Sequence, residues 1–361
     1  MRTKVVICWD GISGYMGACW HALTAQPSID LKVISTSINA AFDPEVVRGV
    51  NLHLLKPEQD HDAGLVAKLV KEHNPAVVVV CGWSRPQFSA IAFNPGLSNV
   101  KFIMAMDTPW RGVLKQRFTW LKLHRFLGQI DRVVVSSERS FQYALHLGFS
   151  ETRIRRGIYG FDYNHLAPLF EQRRGLMGGW PKRFLYVGRY APEKAIDVLI
   201  EAYNRYRTRV ENPWPLECCG GGPEGYRLKN QEGVEDSGFV QPRDLPAALL
   251  RAGVFVLASR YEPWGVVVGE ALASGLPVLC TEACGAGLDM VRSCVDGLTV
   301  ATDDAAALAD GLLWMHRNYD RLPDMGGRGQ PLAAAYSAQA WADRWAMWIN
   351  ELADNQNSRR A

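Results

Sequence analysis

Residues 261–279 read YEPWGVVVGEALASGLPVL, and this stretch decides the fold. It follows the apolar run Gly253–Ala258 and ends in a second apolar run, Pro277–Cys280, with the helix-like segment Trp264–Ser274 between them. Strands that are apolar at every position are covered on both faces, as in parallel sheets, and a helix joins two such strands in a βαβ unit. The stretch therefore predicts an α/β protein with a parallel sheet.

The same alternation continues over the rest of the chain. The other predicted strands are Val5–Trp9, Leu31–Ser35, Ala76–Cys81, Lys101–Ala105, Arg132–Ser136, Arg183–Val187, Leu216–Cys219 and Gly297–Val300. The other predicted helices are Ala63–His73, Ser140–Leu147 and Ala195–Arg209. This pattern predicts doubly wound, Rossmann-like parallel sheets with helices on both faces.

The periodicity is lost at residues 165–182, HLAPLFEQRRGLMGGWPK, where Pro, Gly and charged residues collect. We interpret this segment as a linker, because a chain of 361 residues has about the length of two domains. The predicted domains are residues 1–168 and residues 169–336.

The end of the chain predicts one more helix, for which we expect a place on the first domain, within residues 337–361. Four apolar residues recur there at helical spacing in Ser337–Leu352: Trp341, Trp345, Trp348 and Ile349. Such a stripe is typical of a packing face rather than of a ligand site.

The composition excludes several classes of protein. The chain is 48% hydrophobic and 21% charged, a globular balance that rules out disordered and collagen-like chains. Its net charge of +3 argues against nucleic acid as a partner. The eight cysteines form neither a CxxC pair nor a regular framework, and neither a signal peptide nor an apolar run of membrane-spanning length is present. We therefore expect reduced cysteines and a cytoplasmic location.

Two cations lie close together after one predicted strand. Arg189 and Lys194 belong to VGRYAPEK (187–194), in which we expect a helix to begin near Glu193. Open α/β sheets bind ligands at the carboxyl ends of their strands. A guanidinium, an ammonium and the free N–H groups of a helix start would together hold a pyrophosphate, although a solvated surface pair is the alternative. We expect Lys194 to lie near the surface.

Two carboxylates stand eight residues apart, Glu262 and Glu270, slightly more than two helical turns. Glu262 would lie in a loop, where Gly265 lets the chain come close. Glu270 would lie inside the helix, in an apolar setting where an unpaired carboxylate is costly. Ligand hydroxyls would be suitable partners for it, and a structural Glu with a protein partner is the alternative. The turn 220–223, GGGP, is a second place of close approach.

Two other spacings suggest a nicotinamide dehydrogenase. The glycine-rich loop 11–17, which contains Gly14, could bring its backbone to a pyrophosphate, and Tyr190 and Lys194 have a YxxxK spacing. In that chemistry the Tyr and the Lys share one face of a continuous helix. Pro192 lies between them and would break such a helix, which argues against a dehydrogenase.

Four motifs in a fixed order resemble the retaining GT-B glycosyltransferases of group 1, which use nucleotide sugars and carry a Glu-x7-Glu signature. The motifs are YVGRYAPEKAIDVLIEAY (186–203), CCGGGPEG (218–225), GFVQPRDLPAALLRAGVFVLAS (238–259) and YEPWGVVVGEALASGLPVL (261–279). The resemblance covers residues 183–300 and extends more weakly over 133–162. It implies two Rossmann-like domains that face a central cleft, with the donor bound by the second.

The resemblance also implies roles for single residues. Arg189 and Lys194 would bind the donor diphosphate, Glu262 would contact the donor sugar, and Glu270 would hold the ribose hydroxyls. With Asp107, the first three form the candidate catalytic set. The remaining candidate donor contacts are Gly14, Gly188, Gly220, Phe239, Val240, Gly265 and Val266.

The chain departs from the family pattern at a few places. Many members carry His-Asp after the fourth strand of the first domain, and here Met106 precedes Asp107. The family often has Asn before the Gly of its interdomain Gly-x-Asp step, and here Tyr159 stands there. Gly221 replaces the acid that is usual in the Gly-x-Gly-Pro turn.

The function implied is that of a retaining, metal-independent hexosyltransferase without a cofactor. It would transfer sugar from a nucleotide-diphosphate-sugar donor to a glycan or lipid-linked acceptor, in bacterial surface polysaccharide or glycolipid biosynthesis. A catalytically silent sugar-nucleotide-binding regulator of the same architecture is an alternative. A GT-B epimerase or phosphorylase is another.

The segment 108–130 of the first domain is basic and aromatic and has no acidic residue. Its members are Arg111, Lys115, Arg117, Lys122 and Arg125, interleaved with Trp110, Phe118, Trp120 and Phe126. This composition fits peripheral binding to an anionic membrane on its cytoplasmic face. It fits equally a helix with basic solvent edges and an aromatic core side.

Overall fold

The computed structural model of the protein describes residues 2–36 and 42–357. The chain divides into two compact units. Unit 1 is Met1–Phe161 together with Ala338–Ala361, and unit 2 is Asp162–Ser337. The break falls at residue 161, seven positions before the predicted boundary at residue 168.

The described part of unit 1 contains a parallel sheet of seven strands in the order β3-β2-β1-β4-β5-β6-β7. These are β1 (Thr3–Trp9), β2 (Ile29–Ser35), β3 (Leu52–Leu54), β4 (Val77–Cys81), β5 (Lys101–Met106), β6 (Arg132–Val135) and β7 (Ile154–Arg156). The helices between them are α1 (Gly14–Thr24), α2 (Ala63–His73), α3 (Pro86–Ser89), α4 (Leu114–Arg117), α5 (Thr119–Leu127) and α6 (Glu138–His146).

Both faces of this sheet are buried, as its apolar strands predict. Val5 and Ile7 belong to one core cluster and Val6 and Cys8 to the other, because successive side chains of a strand point to opposite faces. The central strands therefore contribute apolar side chains to two cores, and the exposed Lys4 lies at the beginning of β1, outside the buried stretch.

Helix α15 (Ala338–Asn357) completes unit 1 by packing against α1. The four residues of its apolar stripe, Trp341, Trp345, Trp348 and Ile349, are all buried. The indole N–H of Trp341 donates to the carbonyl of Ile158, and that of Trp345 to the carbonyl of Gly157. The stripe is therefore a packing face, as its spacing predicts.

Unit 2 contains a second parallel sheet, of six strands in its described residues, in the order β10-β9-β8-β11-β12-β13. These are β8 (Phe184–Val187), β9 (Leu216–Cys219), β10 (Val234–Gly238), β11 (Val254–Leu257), β12 (Val278–Thr281) and β13 (Gly297–Val300). The helices are α7 (Tyr163–Leu166), α8 (Pro168–Arg174), α9 (Ile196–Arg207), α10 (Leu245–Arg251), α11 (Val266–Ala273), α12 (Gly285–Met290), α13 (Ala305–Arg317) and α14 (Leu322–Ala334).

The interpretation of residues 165–182 as a linker is wrong. They belong to unit 2 and contain α8, in which Arg173 is fully buried. The Arg173 guanidinium donates to the carbonyls of Ser274 and Leu249, both at 2.7 Å. The indole N–H of Trp180 donates to the carbonyl of Gly253 at 2.9 Å. Helix α8 buries Leu169 together with Arg173, and the charged residue on the buried face obscures the apolar periodicity of the segment.

All eight cysteines are free thiols, and six of them are buried. No helix in the described part of the chain is both long and apolar enough to cross a membrane.

Candidate functional site

The site residues of unit 2 collect where its sheet changes direction. From β8 the chain moves to β9 on one side, and β11 pairs with β8 on the other side. Ligands of open α/β sheets bind outside the carboxyl ends of the strands at such a switch point. The loops that follow β8, β9 and β11 all leave this edge, and they carry most of the predicted site.

The loop after β8 presents Arg189 to solvent. Its side chain is 74% exposed and pairs with Glu193 at 2.5 Å. Residues Pro192–Lys194 form a single turn of 3-10 helix, and Ala195 then takes a left-handed conformation with φ of 56°. A helical turn thus lies at the predicted start near Glu193, but it is not continuous with the helix that follows. Helix α9 begins at Ile196, because the left-handed residue interrupts the helical backbone.

Lys194 forms an ion pair with Glu262. The lysine side chain is 15% exposed and the glutamate 10%, so the expectation of a near-surface lysine is wrong. The Ser259 hydroxyl lies 3.4 Å from the same Glu262 carboxylate. The pair joins the loop after β8 to the loop after β11. At this edge of the sheet the lysine and glutamate charges neutralise each other.

Gly265 has a conformation that other residues rarely adopt, with φ of 90°. A Cβ there would lie 2.9 Å from the Cys284 sulfur and 3.0 Å from Cγ of Glu262. Helix α11 begins at the next residue, Val266, without a side-chain cap. The first N–H groups of this helix therefore stand beside the Lys194–Glu262 pair, where no cap competes with a ligand for them.

The glycine turns after β8 and β9 touch backbone to backbone. A Cβ on Gly220 would lie 1.9 Å from the carbonyl oxygen of Gly188, so neither chain could come this close with a larger residue. Gly220 also donates its N–H to the Gly238 carbonyl at 2.7 Å. Phe239, 43% exposed, and Val240 follow at the end of β10, which places an apolar ring beside the turn.

Glu270 lies on α11, half-buried among apolar residues. Burial raises the pKa of its carboxyl from 4.5 to about 7. Among the residues that the structure describes, none donates a hydrogen bond to this carboxylate or pairs with it. Those residues therefore do not support the alternative, in which Glu270 is a structural residue with a protein partner. A buried carboxylate without a partner is costly, so this position is suited to a ligand that donates hydrogen bonds.

Two of the predicted site residues lie in unit 1. Gly14 is the first residue of α1, whose first turn is capped by Ser13. Asp107 directly follows β5, and its Oδ2 accepts a hydrogen bond from the Tyr159 hydroxyl at 2.8 Å. Burial, together with the Asp107 charge, raises the pKa of Tyr159 well above its usual value, so the phenol remains the donor. The hydroxyl of Ser140 donates to the Asp107 backbone carbonyl at 2.8 Å.

Sequence reasoning missed two of these partners, Ser259 and Tyr159. Tyr159 was visible as a departure from the family pattern, but its contact with Asp107 joins positions 52 residues apart. Ser259 comes just after an apolar strand. Only this position, at the carboxyl end of β11, could have indicated that it belongs to the site.

The YxxxK pair of a dehydrogenase is not formed. Tyr190 lies in the loop after β8, is buried, and donates its hydroxyl to Asp236 at 2.8 Å. Lys194 is held by Glu262 instead. Between residues 2–36 and 42–357, no grouping of three or more His, Cys, Asp and Glu side chains could hold a metal ion. In the sequence DHD (60–62), Asp62 caps α2 by accepting from the Leu65 N–H.

Comparison with known proteins gives the class. Residues 172–330 match the family model of glycosyl transferases group 1, which covers most of unit 2. HepE of Anabaena, whose crystal structure holds UDP and glucose, superposes with a TM-score of 0.74 at 16% identity, over 97% of this chain and 100% of that one. Unit 2 is therefore a group 1 glycosyltransferase domain, and the chain has the GT-B fold.

Two curated relatives show how far the sequence likeness extends. Mannosylfructose-phosphate synthase of Agrobacterium fabrum is 34% identical over 34% of this chain and 31% of its own length. D-rhamnosyltransferase WbpZ of Pseudomonas aeruginosa is 26% identical over 64% of this chain and 64% of its own. The chain spans between 24% and 51% of the length of the first three curated relatives that it matches.

Proposed function

We propose that the protein transfers a sugar from a nucleotide-diphosphate sugar to a hydroxyl of a glycan or lipid-linked acceptor, in bacterial surface polysaccharide or glycolipid biosynthesis. The observation that carries the proposal is the half-buried, unpartnered Glu270 carboxylate at the same sheet edge as Arg189, Lys194 and the uncapped start of α11. That set offers an acceptor for sugar hydroxyls beside donors for a diphosphate. The family match and the UDP and glucose held by HepE support it.

Arg189 and Lys194 bind the diphosphate of the donor. When the sugar–phosphate bond breaks, negative charge grows on the departing phosphate, so these cations stabilise the transition state more than the ground state. Removal of one such donor costs about 3 kcal/mol in the barrier. Lys194 contacts Glu262 as well, and this carboxylate faces the donor sugar with its ammonium partner already in place.

The nucleoside is held by the other members of the set. Glu270 accepts hydrogen bonds from the ribose hydroxyls, while Phe239 and Val240 border the base. Gly188 and Gly220 allow the backbone to approach the phosphates, and the N–H groups at Gly265 and Val266 donate to the phosphate or the sugar. Gly14 adds a further backbone contact to the donor.

The reaction proceeds with retention of configuration, without a metal and without a cofactor. A leaving phosphate oxygen takes the proton of the attacking acceptor hydroxyl. Arg189 and Lys194 neutralise the departing phosphate, so no metal is needed for that purpose. NMR of the isolated product tests retention, because an inverted anomeric centre would contradict it. Undiminished turnover in EDTA tests the absence of a metal requirement.

A thermal-shift screen over UDP-, GDP- and ADP-sugars tests the donor, followed by assays of hydrolysis without acceptor. We expect one nucleotide class to raise the melting temperature. The matched variants are Arg189→Ala and Arg205→Ala, because both arginines are exposed and pair with a Glu four residues away. Arg189→Ala should weaken donor binding about tenfold or more, and Arg205→Ala should leave it unchanged.

The same screen separates the alternatives. A nucleotide sugar that stabilises the protein but is never turned over, whatever acceptor is offered, would favour the silent regulator. Isomerised nucleotide sugar in the absence of acceptor would indicate an epimerase, and sugar phosphate formed from inorganic phosphate a phosphorylase. If no nucleotide sugar binds, the proposal fails.

We further propose that unit 1 associates peripherally with an anionic membrane at its cytoplasmic face. Helices α4 and α5 and their flanks expose several large apolar side chains: Val113, Leu114, Phe118, Trp120 and Leu121, each at least 46% exposed. Four cations of the same segment are exposed as well: Lys115, Arg117, Lys122 and Arg125. Phe126 is buried, as the aromatic-core interpretation requires, but Phe118 and Trp120 are not. Exposed apolar side chains together with exposed cations complement an anionic lipid surface.

Flotation with anionic liposomes at low salt tests this surface. Wild type should float with vesicles that contain phosphatidylglycerol, and Lys115→Glu/Lys122→Glu should stay in solution. The control is Lys68→Glu/Lys71→Glu, which makes the same charge change on exposed positions of α2. If Lys115→Glu/Lys122→Glu floats as well as wild type, the patch does not bind membrane.

A further inference from the structure

The turn that carries Lys194 has little stability of its own. Pro192–Lys194 is a single turn of 3-10 helix, in which the hydrogen-bond geometry is poorer than in an α-helix. Ala195 then takes a left-handed backbone conformation with φ of 56°, which is costly for a residue with a Cβ, and it is fully buried. Such a turn keeps one conformation only where the surrounding residues hold it.

The loop after β11 holds this turn through Arg260. Nη1 of the Arg260 side chain donates to the Pro192 carbonyl at 3.2 Å. The backbone N–H of Arg260 donates to the Glu193 carbonyl at 2.8 Å, and the N–H of Tyr261 donates to the same carbonyl at 3.1 Å. Two of the three carbonyls of the turn therefore accept hydrogen bonds from one neighbouring loop.

The Arg260 guanidinium is itself fixed by two carboxylates. Nη1 and Nη2 donate to Asp197, in the first turn of α9, at 2.8 Å and 2.7 Å. Nε donates to Asp303, in the loop after β13. A guanidinium has five N–H groups, and these contacts together with the Pro192 carbonyl use four of them. The planar fork of an arginine can make such a set of contacts, whereas the ammonium of a lysine cannot.

Arg260 and Glu262 lie in the same loop and contact the same turn at different points. Glu262 pairs with the Lys194 ammonium, while Arg260 holds the carbonyls of the two residues before Lys194. The lysine is therefore held both at its charge and near its backbone. Because most N–H groups of the Arg260 guanidinium already have protein partners, this side chain is suited to hold the turn rather than to bind a ligand.

We propose that Arg260 is a positioning residue for the donor diphosphate, which holds the turn Pro192–Lys194 so that the Lys194 ammonium is in place before the donor binds. The inference rests on the proposed function, because Lys194 is one of the two cations assigned to that diphosphate. A cation that is already in place loses little conformational freedom when an anion binds, so preorganisation increases the affinity. Arg260 thus contributes to donor binding without touching the donor.

NMR titration of wild type and Arg260→Ala with a nucleoside diphosphate and with its nucleoside tests the proposal. The probe pairs are UDP with uridine, GDP with guanosine and ADP with adenosine, and the pair compared is the one whose diphosphate the wild type binds. Arg260→Ala should bind the diphosphate about tenfold more weakly, because the phosphate-binding turn is no longer preorganised. It should bind the nucleoside as wild type does, since a nucleoside has no phosphate for Lys194 to hold.

Arg209→Ala is the matched control. Arg209 follows α9 and pairs with Asp310 of α13 at 2.5 Å, so this variant also removes an ion pair between distant segments of unit 2. It should leave the affinity for both probes unchanged, because Arg209 does not contact the turn. If Arg260 has only a structural role, Arg260→Ala will instead weaken the nucleoside and the diphosphate equally.

Two further variants connect the effect to Lys194 and cover a failure of Arg260→Ala to fold. In a Lys194→Ala background, Arg260→Ala should weaken diphosphate binding by no more than about twofold, since the group that it positions is gone. Asp197→Asn keeps the guanidinium but weakens its anchor, and should reduce diphosphate affinity by a smaller factor of about three.

Equal diphosphate affinity of wild type and Arg260→Ala, equal losses for the two probes, or an undiminished effect in the Lys194→Ala background would overturn the inference. These outcomes leave the proposed function intact, because the wild type still binds the nucleotide. If wild type binds none of the three diphosphates, the proposed function fails and this inference fails with it.

Discussion

The unpartnered carboxylate of Glu270 should make the unliganded protein less stable as the pH rises. Its pKa is about 7 in the folded protein against 4.5 in the unfolded chain. Between these values the folded state binds more protons than the unfolded state, so the free energy of unfolding falls with rising pH through this window and is then constant. The Glu270→Gln variant lacks this ionisation and should be stabilised relative to wild type at pH 8 but not at pH 4.

The magnitude follows from the pKa difference. At 1.36 kcal/mol per unit, the stabilisation at pH 8 relative to pH 4 is at most about 3 kcal/mol, and partial exposure of the carboxylate reduces it. For a unit of this size each kcal/mol corresponds to about 2–4 °C, so the melting temperature should rise by up to about 10 °C. The same variant should bind the nucleotide sugar about tenfold more weakly, because Gln lacks the charge that strengthens hydrogen bonds from hydroxyls.

Differential scanning calorimetry of both proteins at pH 4, 5, 6, 7 and 8 gives the required comparison. Glu282→Gln is the control, since Glu282 is exposed on the same unit. Its difference from wild type should not change with pH. A Glu270→Gln stabilisation that is equal at pH 5 and pH 8, or a loss of stability at pH 8, would show that Glu270 has a partner or is well hydrated, and would refute the reasoning.

Three further changes test other features. Gly265→Ala places a Cβ against two side chains at a positive φ and should destabilise unit 2 by about 1–3 kcal/mol in urea unfolding, whereas Gly178→Ala, with open space around it, should not. Trp345→Ala should cost about 3–5 kcal/mol, and Trp345→Phe clearly less, because the buried indole fills the core of unit 1. Cys294 is exposed, so an aromatic disulfide reagent should react rapidly with one thiol, and Cys294→Ser should remove that reaction. Burial raises the pKa of the half-buried Cys81 to about 12, so rapid reaction of Cys81 would contradict this expectation.

The sequence predicted the central strands well and the edge strands poorly. All ten predicted strands are present, and nine of them are central strands that are covered on both faces and read as apolar runs. The tenth, β13, is an edge strand and is largely half-buried. The strands it missed are β3, β7 and β10, and each lies at an edge of its sheet. Edge strands are short or polar, as in LHL (52–54) and VEDSG (234–238), so their pattern does not differ from that of a loop.

The site was predicted as a set of residue types, but not as a set of contacts. Glu270 was expected inside a helix in an apolar setting, because its neighbours in sequence are apolar. Lys194 was expected near the surface, since nothing in the local sequence shows that Glu262, 68 residues later, lies against it. Contacts between loops depend on strand order, and no local pattern encodes that order. The same holds for Tyr159 and Asp107.

Helix α15 has a consequence for the order in which the chain is made. A ribosome completes all of unit 2 before it synthesises Trp341, Trp345 and Trp348, which cover one face of the first sheet. During that interval the face formed by Val5, Ile7 and their neighbours is incomplete, although its strands are among the first to emerge. Unit 2 can therefore reach its native state before unit 1, which is the reverse of the usual N-terminal-first order. Because the first sheet keeps an uncovered apolar face during this interval, the part of the nascent chain that is made first is the most prone to aggregation.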